Sequence, residues 1–271
     1  MSKTAASGHQ QRIRLDQLIV DRGLAGSRTM AQALVLAGKV RVGAGDGARR
    51  DRKPGDLLDP AEPVSVTPAA QFASRGGHKL AAALEAFGLD PSGLVCLDVG
   101  ASTGGFTDVL LKGGAARVHA VDVGRGQLAD VLARDARVVV HDRTNARDLT
   151  AETLGDLVDL AVIDVSFISL SLVLGPVAGT LSANGHVIAL VKPQFEAERG
   201  QTQRGVVRDP AIHREVLARV VAAASKSGLG ARDIVASPIL GPAGNREFLV
   251  HLAPGPSCSD IGERIAVAAS P

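Results

Sequence analysis

Leu94-Val95-Cys96-Leu97-Asp98-Val99-Gly100-Ala101-Ser102-Thr103-Gly104-Gly105-Phe106 decides the reading of this 271-residue chain. Its apolar run predicts a buried strand that closes on Asp98. The glycines predict a turn, and residues 106–112 predict a helix. Such a strand-turn-helix unit sets backbone N–H groups beyond the carboxyl end of a strand, where open α/β sheets hold ligands. The glycines let that backbone come close to the ligand.

The spacing of Gly100, Gly104 and Gly105 is not the Gly-x-Gly-x-x-Gly of dinucleotide binders. No Gly-Lys-Ser/Thr follows, so a P-loop is excluded. An NAD-dependent oxidoreductase is therefore a weaker reading than an S-adenosylmethionine site. In that site Asp98 lies near the cationic end of the ligand, and Gly100, Ala101, Ser102, Gly104, Gly105 and Phe106 form the turn. Asp122, closing the next strand, is placed for the ribose hydroxyls. Asn145, after the third strand, is placed for the adenine region.

Outward from this unit, strands and helices alternate. Residues 117–123, 138–140, 157–165 and 186–192 read as strands, and 127–134 and 169–181 as helices. Asp209 caps a helix opened by Pro210. Residues 234–238 and 247–252 read as an antiparallel pair. The pattern predicts an α/β protein with a Rossmann-like doubly wound sheet. Residues 78–253 would form this domain, 254–271 a frayed tail, and 70–77 a linker, with a further helix over 77–87 capped by Ser74.

Residues 12–69 read as a small α+β domain. Leu15, Leu18, Ile19 and Leu24 have helical spacing, and Ser27 caps a second helix over 28–37 with Met30, Ala33 and Leu34 on one face. Residues 1–67 carry a net charge of +4 and the remainder −2. Arg12, Arg14, Arg28, Lys39 and Arg41 gather around the second helix, which suits a polyanion. Aromatics make up only 2% of the chain, with no Trp and no Tyr. Single-stranded bases therefore lack broad stacking platforms, and binding would rest on charge and shape.

Cys96 and Cys258 show no metal spacing and no disulfide framework, and Cys96 reads as core filler in a reducing compartment. No metal is expected. The first eleven residues lack the apolar core of a signal peptide. Residues 165–191 carry no Asp, Glu, Lys or Arg, but Gly175, Pro176, Gly179 and the run 182–186 interrupt them. A spanning helix wants about 20 continuous apolar residues, so this stretch reads as helix, turn and buried strand.

Lys79, Asp164, Lys192 and Glu247 each sit at the edge of an expected element. Alkylating a very weak acid such as a ribose 2′-hydroxyl needs alignment and proton removal. Lys192 is the candidate base, and Lys79 the cation that keeps it neutral. Asp164 would orient Lys192, and Glu247 would complete the network. Singly, Lys79 also reads as a helix-face lysine and Glu247 as a hairpin charge.

This set resembles the Lys-Asp-Lys-Glu tetrad of FtsJ-like ribose 2′-O-methyltransferases. Ser74-Arg75-Gly76-Gly77-His78-Lys79, Asp164-Val165-Ser166-Phe167-Ile168-Ser169, Leu190-Val191-Lys192-Pro193-Gln194-Phe195-Glu196 and Gly241-Pro242-Ala243-Gly244-Asn245-Arg246-Glu247-Phe248 resemble the TlyA family within that group. The residues before them resemble the small RNA-binding domain first seen in a small-subunit ribosomal protein and shared with some pseudouridine synthases. The resemblance implies methylation of cytidine ribose in bacterial ribosomal RNA, S-adenosylmethionine as cofactor, ribosomal subunits as partners and a link to capreomycin susceptibility. The family is also labelled haemolysin. Ala70-Gln71-Phe72-Ala73 departs from the Arg-x-Trp-Val linker of some actinobacterial relatives, with Phe72 as a partial substitute for the aromatic.

Other readings are a membrane-active haemolysin and an RNA-binding protein with an inactive methyltransferase domain. The first lacks a spanning helix and a cationic amphipathic helix, and the second is at odds with a complete tetrad. A cytoplasmic monomer without stable membrane association is expected. The loop 196–208, with Arg199, Arg204 and Arg208, is expected to close over the substrate.

Overall fold

The computed structural model describes residues 12–67, 71–198, 200–202 and 204–270. Arg199 and Ala70 lie outside the described residues. The chain divides into two units, one ending before Gln71 and the other beginning there.

The first unit contains β1 (Ile13–Arg14), α1 (Leu15–Asp21), α2 (Arg28–Leu36), β2 (Val40–Val42), β3 (Leu57–Leu58) and β4 (Val64–Val66). Two short antiparallel pairs, β1 with β3 and β2 with β4, brace the helices. Ser27 caps α2 by accepting from the Met30 N–H. Leu15, Leu18, Ile19, Ala31 and Val35 fill the small core. The buried face of α2 is thus Ala31 and Val35, while Met30 is 54% exposed. The expected face of Met30, Ala33 and Leu34 is rotated by one position, because apolar residues at 30, 31, 33, 34, 35 and 36 let more than one face satisfy a helical period.

The second unit contains α3 (Gly76–Phe87), β5 (Val95–Val99), α4 (Gly105–Lys112), β6 (Arg117–Val121), α5 (Asp130–Ala133), β7 (Val138–His141) and α6 (Ala151–Leu154). It continues with β8 (Val158–Ile163), α7 (Leu174–Ala178), β9 (Leu181–Val191), α8 (Pro193–Glu196), α9 (Pro210–Lys226), β10 (Leu229–Ala236), β11 (Phe248–Pro254) and α10 (Ile261–Ala268). The strands form one sheet in the order β10-β11-β9-β8-β5-β6-β7, and β11 alone runs against the others. Chain order reverses on either side of β5, which puts the switch point beside the glycine turn.

Strand alternation sorts the two faces. Leu97, Val99, Ala161, Ile163, Val187 and Ala189 pack with α7, α9 and α10, while Cys96, Leu160, Val162, Ile188 and Leu190 pack with α3 and α4. On α9, Val216, Leu217, Val220, Val221 and Ala224 form the buried stripe. Each fully buried Val or Leu contributes roughly 1.5–3 kcal/mol.

Two expected boundaries are corrected. Residues 71–77 are not a spacer but part of the second unit. Phe72 is buried and meets His78 edge-on at 5.2 Å, and the Ala73 N–H donates to Asp108 at 2.9 Å. Residues 254–270 are not frayed either, since α10 closes on α9 and β10 with Ile265, Ala268 and Ala269 buried. Arg246 donates to the Ala268 carbonyl at 3.0 Å and to that of Ser270. The composition there is small and apolar at helical spacing, which a reading of it as merely small and polar missed.

Residues 169–181 also differ from the expected helix. A short 3-10 turn (Leu170–Leu172) precedes α7, and β9 already starts at Leu181 and runs through the turn cluster. The pairing with β8 jumps there, from Val158↔Leu181 to Leu160↔His186. Gly185 permits this, because a Cβ would lie 2.9 Å from the Val158 carbonyl oxygen. No helix among the described residues is long and apolar enough to cross a membrane.

Candidate active site

Loops at the carboxyl edge of the sheet form two cavities that share Gly100, Ser102, Asp164, Ser166 and Phe167. The larger, about 700 Å³, is lined by Lys79, Asp164, Lys192 and Glu247 together with Ala101, Gly105 and Phe106. The second, about 540 Å³, is lined by Asp122, Asn145, Gln127 and Val165. All four tetrad positions therefore meet in one cavity, beside the glycine turn.

They meet as two ion pairs. Lys192 Nζ lies 2.6 Å from Asp164 Oδ1 and donates to Ser166 Oγ at 2.8 Å. Lys79 Nζ donates to Glu247 Oε2 at 2.5 Å, with both residues buried. Lys79 is consequently not the bare cation the sequence suggested, since Glu247 balances it. The positions follow from local structure. Asp164 and Lys192 come immediately after the adjacent parallel strands β8 and β9, Glu247 immediately precedes β11, and Lys79 lies in the first turn of α3.

The glycine turn is a packing joint as well as a cavity wall. A Cβ on Gly100, whose φ is 85°, would stand 2.5 Å from the Asp164 carbonyl oxygen. One on Gly105 would stand 2.1 Å from Ser74 Oγ. These glycines let the β5 turn, the residue after β8 and the start of α3 converge. Gly104 lines neither cavity and instead makes room for Leu128 and Leu132.

Asp122 borders the second cavity and is anchored by backbone. Its Oδ2 accepts from the Ser102 N–H at 2.8 Å and its Oδ1 from the Gly124 N–H at 2.7 Å. Each oxygen keeps a lone pair for a ligand hydroxyl. Asn145 also lines the cavity, but its Oδ1 caps the turn Ala146–Asp148 through the Arg147 N–H. An anchored carboxylate with free lone pairs beside close-set backbone is a donor and acceptor set that fits the ribose hydroxyls of S-adenosylmethionine. Asp122, Ser102 and Gly100 would hold it.

Asp98 is the exception. It is fully buried, lines neither cavity, and points toward α4, where Thr107 Oγ1 donates to its Oδ2 at 2.6 Å. Among the described residues its Oδ1 has no hydrogen-bond partner. Burial pushes its pKa up to about 7, against the Thr107 hydrogen bond and with help from the charge of Asp164. Between about pH 4 and pH 7 the folded protein thus keeps a proton that the unfolded chain has lost, so stability falls as pH rises through that window. The expected result is that Asp98→Asn melts higher than the parent at pH 8, with the gap closing as pH falls toward 4. Thermal melts of cofactor-free protein across that range check it, and a gap independent of pH would contradict it.

Sequence reading passed over several residues here. Phe167, at φ 64° and 90% exposed, lines both cavities and lies 4.9 Å from Phe195 between ring centroids. Asn245 is fully buried, accepts from the Val207 N–H and donates to the Gly205 carbonyl, both at 2.9 Å. It thereby pins part of the 196–208 loop at the cavity. Arg204 and Arg208 are exposed. An Asn in a Gly-rich turn two residues before a candidate acid was the available signal.

In the first unit, Arg12, Arg14 and Arg28 line one groove, whereas Lys39 and Arg41 do not. Buried Asp16 organises it, accepting from Arg14 Nε and Nη2 at 3.0 and 2.9 Å, from Arg28 Nε at 3.1 Å and from Gln32 Nε2 at 2.9 Å. These bonds, that from Arg14 first, hold its pKa well below the usual carboxylate range despite burial. Asp16 and Asp21 lie among the cations of residues 12–41, and nothing in the sequence singled out Asp16 for this role.

A Rossmann-like sheet carrying these cavities at its switch point defines a methyltransferase fold. The chain belongs to the FtsJ-like methyltransferase family, which matches residues 72–253, and the S4 domain matches residues 13–43. S-adenosylmethionine is the cofactor of this class of methyltransferase. Over 244 residues the chain is 47% identical to the 16S/23S rRNA (cytidine-2′-O)-methyltransferase TlyA of Mycobacterium tuberculosis, covering 89% of this chain and 90% of that one. It is 37% identical over 241 residues to Hemolysin A of Brachyspira hyodysenteriae, covering 88% and 99%. A solved structure from Streptococcus thermophilus described as a hemolysin is 42% identical, with a TM-score of 0.71 and 96% of each chain covered.

Proposed function

We propose that this protein is an S-adenosylmethionine-dependent ribosomal RNA (cytidine-2′-O)-methyltransferase that works in the cytoplasm as a monomer on ribosomal subunits. The observation that carries this reading is the meeting of Lys192–Asp164 and Lys79–Glu247 in one cavity beside the glycine turn. The TlyA relative, by its name, methylates cytidine 2′-O in 16S and 23S rRNA, which supports the substrate.

When bound, S-adenosylmethionine supplies an electrophilic methyl carbon. Once the paired Lys192 ammonium has released its proton to solvent, the free amine accepts the 2′-hydroxyl proton, and Asp164, 2.6 Å away, holds the ammonium that re-forms. Ser166 fixes the direction of Nζ. The Lys79–Glu247 pair closes the far wall without adding net charge. Asn245, through the 205–207 backbone, keeps the loop over the cavity.

The basic groove of Arg12, Arg14 and Arg28 supplies phosphate contacts. Binding to ribosomal RNA should therefore weaken steeply with salt, with a log–log slope near −0.7 to −0.9 per contacted phosphate. The triple change Arg12→Gln, Arg14→Gln, Arg28→Gln should flatten that slope, as filter binding between 50 and 200 mM salt would show. A slope unaltered in the variant would remove these residues from the RNA contact. The reading as a whole is tested by transfer of tritiated methyl from S-adenosylmethionine to unmodified small and large subunits assayed apart. Incorporation into either supports it, and none into both, despite cofactor binding, opposes it.

A further inference from the structure

Asp164 and Lys192 each open the loop that follows one of two adjacent parallel strands. Strand pairing ends at Ile163↔Ala189, so it leaves the two loops free to move against each other. A side chain outside the cavities ties them. Glu196, the last residue of α8, is 9% exposed and lines neither cavity. Its Oε2 accepts from Ser169 Oγ at 2.8 Å and its Oε1 from the Leu170 N–H at 2.7 Å. Its own backbone carbonyl accepts from Arg219 Nη1 of α9 at 3.1 Å, which fixes α8 to the body of the unit.

The loops are thus fastened twice. At their origins Lys192 engages Asp164 and Ser166, and at their ends Glu196 engages Ser169 and Leu170. Phe167 stands between the two fastenings in the left-handed region. An L-residue held there costs on the order of 1–3 kcal/mol and persists only where its surroundings over-determine it. The ring, 90% exposed, gains little from burial. The two fastenings flank it on either side, with the Phe195 ring 4.9 Å away. Burial also raises the pKa of Glu196, opposed by the Leu170 and Ser169 bonds, so this carboxylate sits where packing alone would not favour it.

We propose that Glu196 is a positioning residue whose paired hydrogen bonds clamp residues 165–170 against the segment following Lys192, holding Asp164, Ser166 and Phe167 in the geometry the reacting lysine requires. The proposal rests on the assignment of Asp164 and Lys192 as the reacting pair. A clamp released by truncation would misplace the reacting groups by a fraction of a residue's length, and shifts of about 1 Å cost about 10²-fold in rate. Glutamine keeps the clamp, since its carbonyl accepts from the Leu170 N–H and its amide donates to Ser169 Oγ.

The chain has no Trp and no Tyr, so Phe167→Trp creates a sole indole reporter on the loop. Its anisotropy is measured alone and combined with Glu196→Ala, Glu196→Gln and Ser169→Ala. The kcat and KM for subunits, with the melting midpoint, are measured for the same Glu196 and Ser169 changes with Phe167 intact. The expected result is a fall in reporter anisotropy and a kcat about 10²-fold lower in Glu196→Ala, values near the parent in Glu196→Gln, and intermediate ones in Ser169→Ala. Unchanged anisotropy in Glu196→Ala, or equal damage in Glu196→Gln, would overturn the clamp. Should Glu196→Ala not fold, Ser169→Ala decides, and parental anisotropy there overturns it. If no subunit accepts methyl, the assigned reaction fails, while anisotropy still reports whether the clamp exists.

Discussion

Replacing Lys192 with alanine is expected to lower the single-turnover rate of methyl transfer by roughly 10²–10⁴-fold, the usual contribution of a positioned proton acceptor. Affinity for S-adenosylmethionine should stay close to that of the parent, because Lys192 lines the larger cavity and not the one bordered by Asp122. Lys192→Arg should fare no better. A guanidinium keeps the charge opposite Asp164 but does not give up its proton. Rapid-quench transfer at saturating cofactor, with calorimetric binding alongside, separates the two effects. A Lys192→Ala protein that turns over at the parental rate would remove the lysine from the chemistry.

The second large effect is on stability. Glu247→Ala leaves the Lys79 ammonium buried without its partner. Breaking such a pair from one side costs about 3–5 kcal/mol. For a unit of this size each kcal/mol moves the midpoint by about 2–4 °C, so a drop on the order of 10 °C is expected. Removing both charges is different. The double change Lys79→Met with Glu247→Leu keeps volume and leaves no orphaned charge, and should recover most of the loss. It should still transfer no methyl, since the cavity wall has lost its polar pair. Melting followed by circular dichroism checks both, and a Glu247→Ala midpoint equal to the parent's would contradict the reading of the pair as buried and mutually dependent.

Where sequence carried a strong period, the fold was legible. The run ending at Asp98, the alternation of Val187 to Val191 and the buried stripe of α9 each match one structural face, and the sheet follows from them. The joins were less legible. Whether residues 71–77 and 254–270 pack depends on partners far away in sequence, Asp108 and Lys112 for one and Arg246 and Arg232 for the other. No local pattern announces such contacts.

The site shows the same division. Lys79, Asp164, Lys192 and Glu247 could be picked out because residues at strand ends converge on one sheet edge. Asp164 beside Lys192 was expected, but the pairing of Lys79 with Glu247 was not, because it depends on which carboxylate that lysine reaches. Asp98 shows the limit in the other direction. It sits in the motif, yet strand alternation turns its side chain toward α4 and away from the cavities. Asn245 and Glu196 work through backbone groups of loops, and residue type alone does not reveal such roles.

The most direct test of the assigned reaction is the identity of the methylated product. Ribosomal subunits lacking the modification would be incubated with the protein and S-adenosylmethionine, and their RNA digested to nucleosides for mass spectrometry. The proposed reaction predicts 2′-O-methylcytidine, formed by the parent and absent with Lys192→Ala. A methyl group on a base, or 2′-O-methylcytidine formed equally by the variant, would contradict the roles given to Lys192 and Asp164.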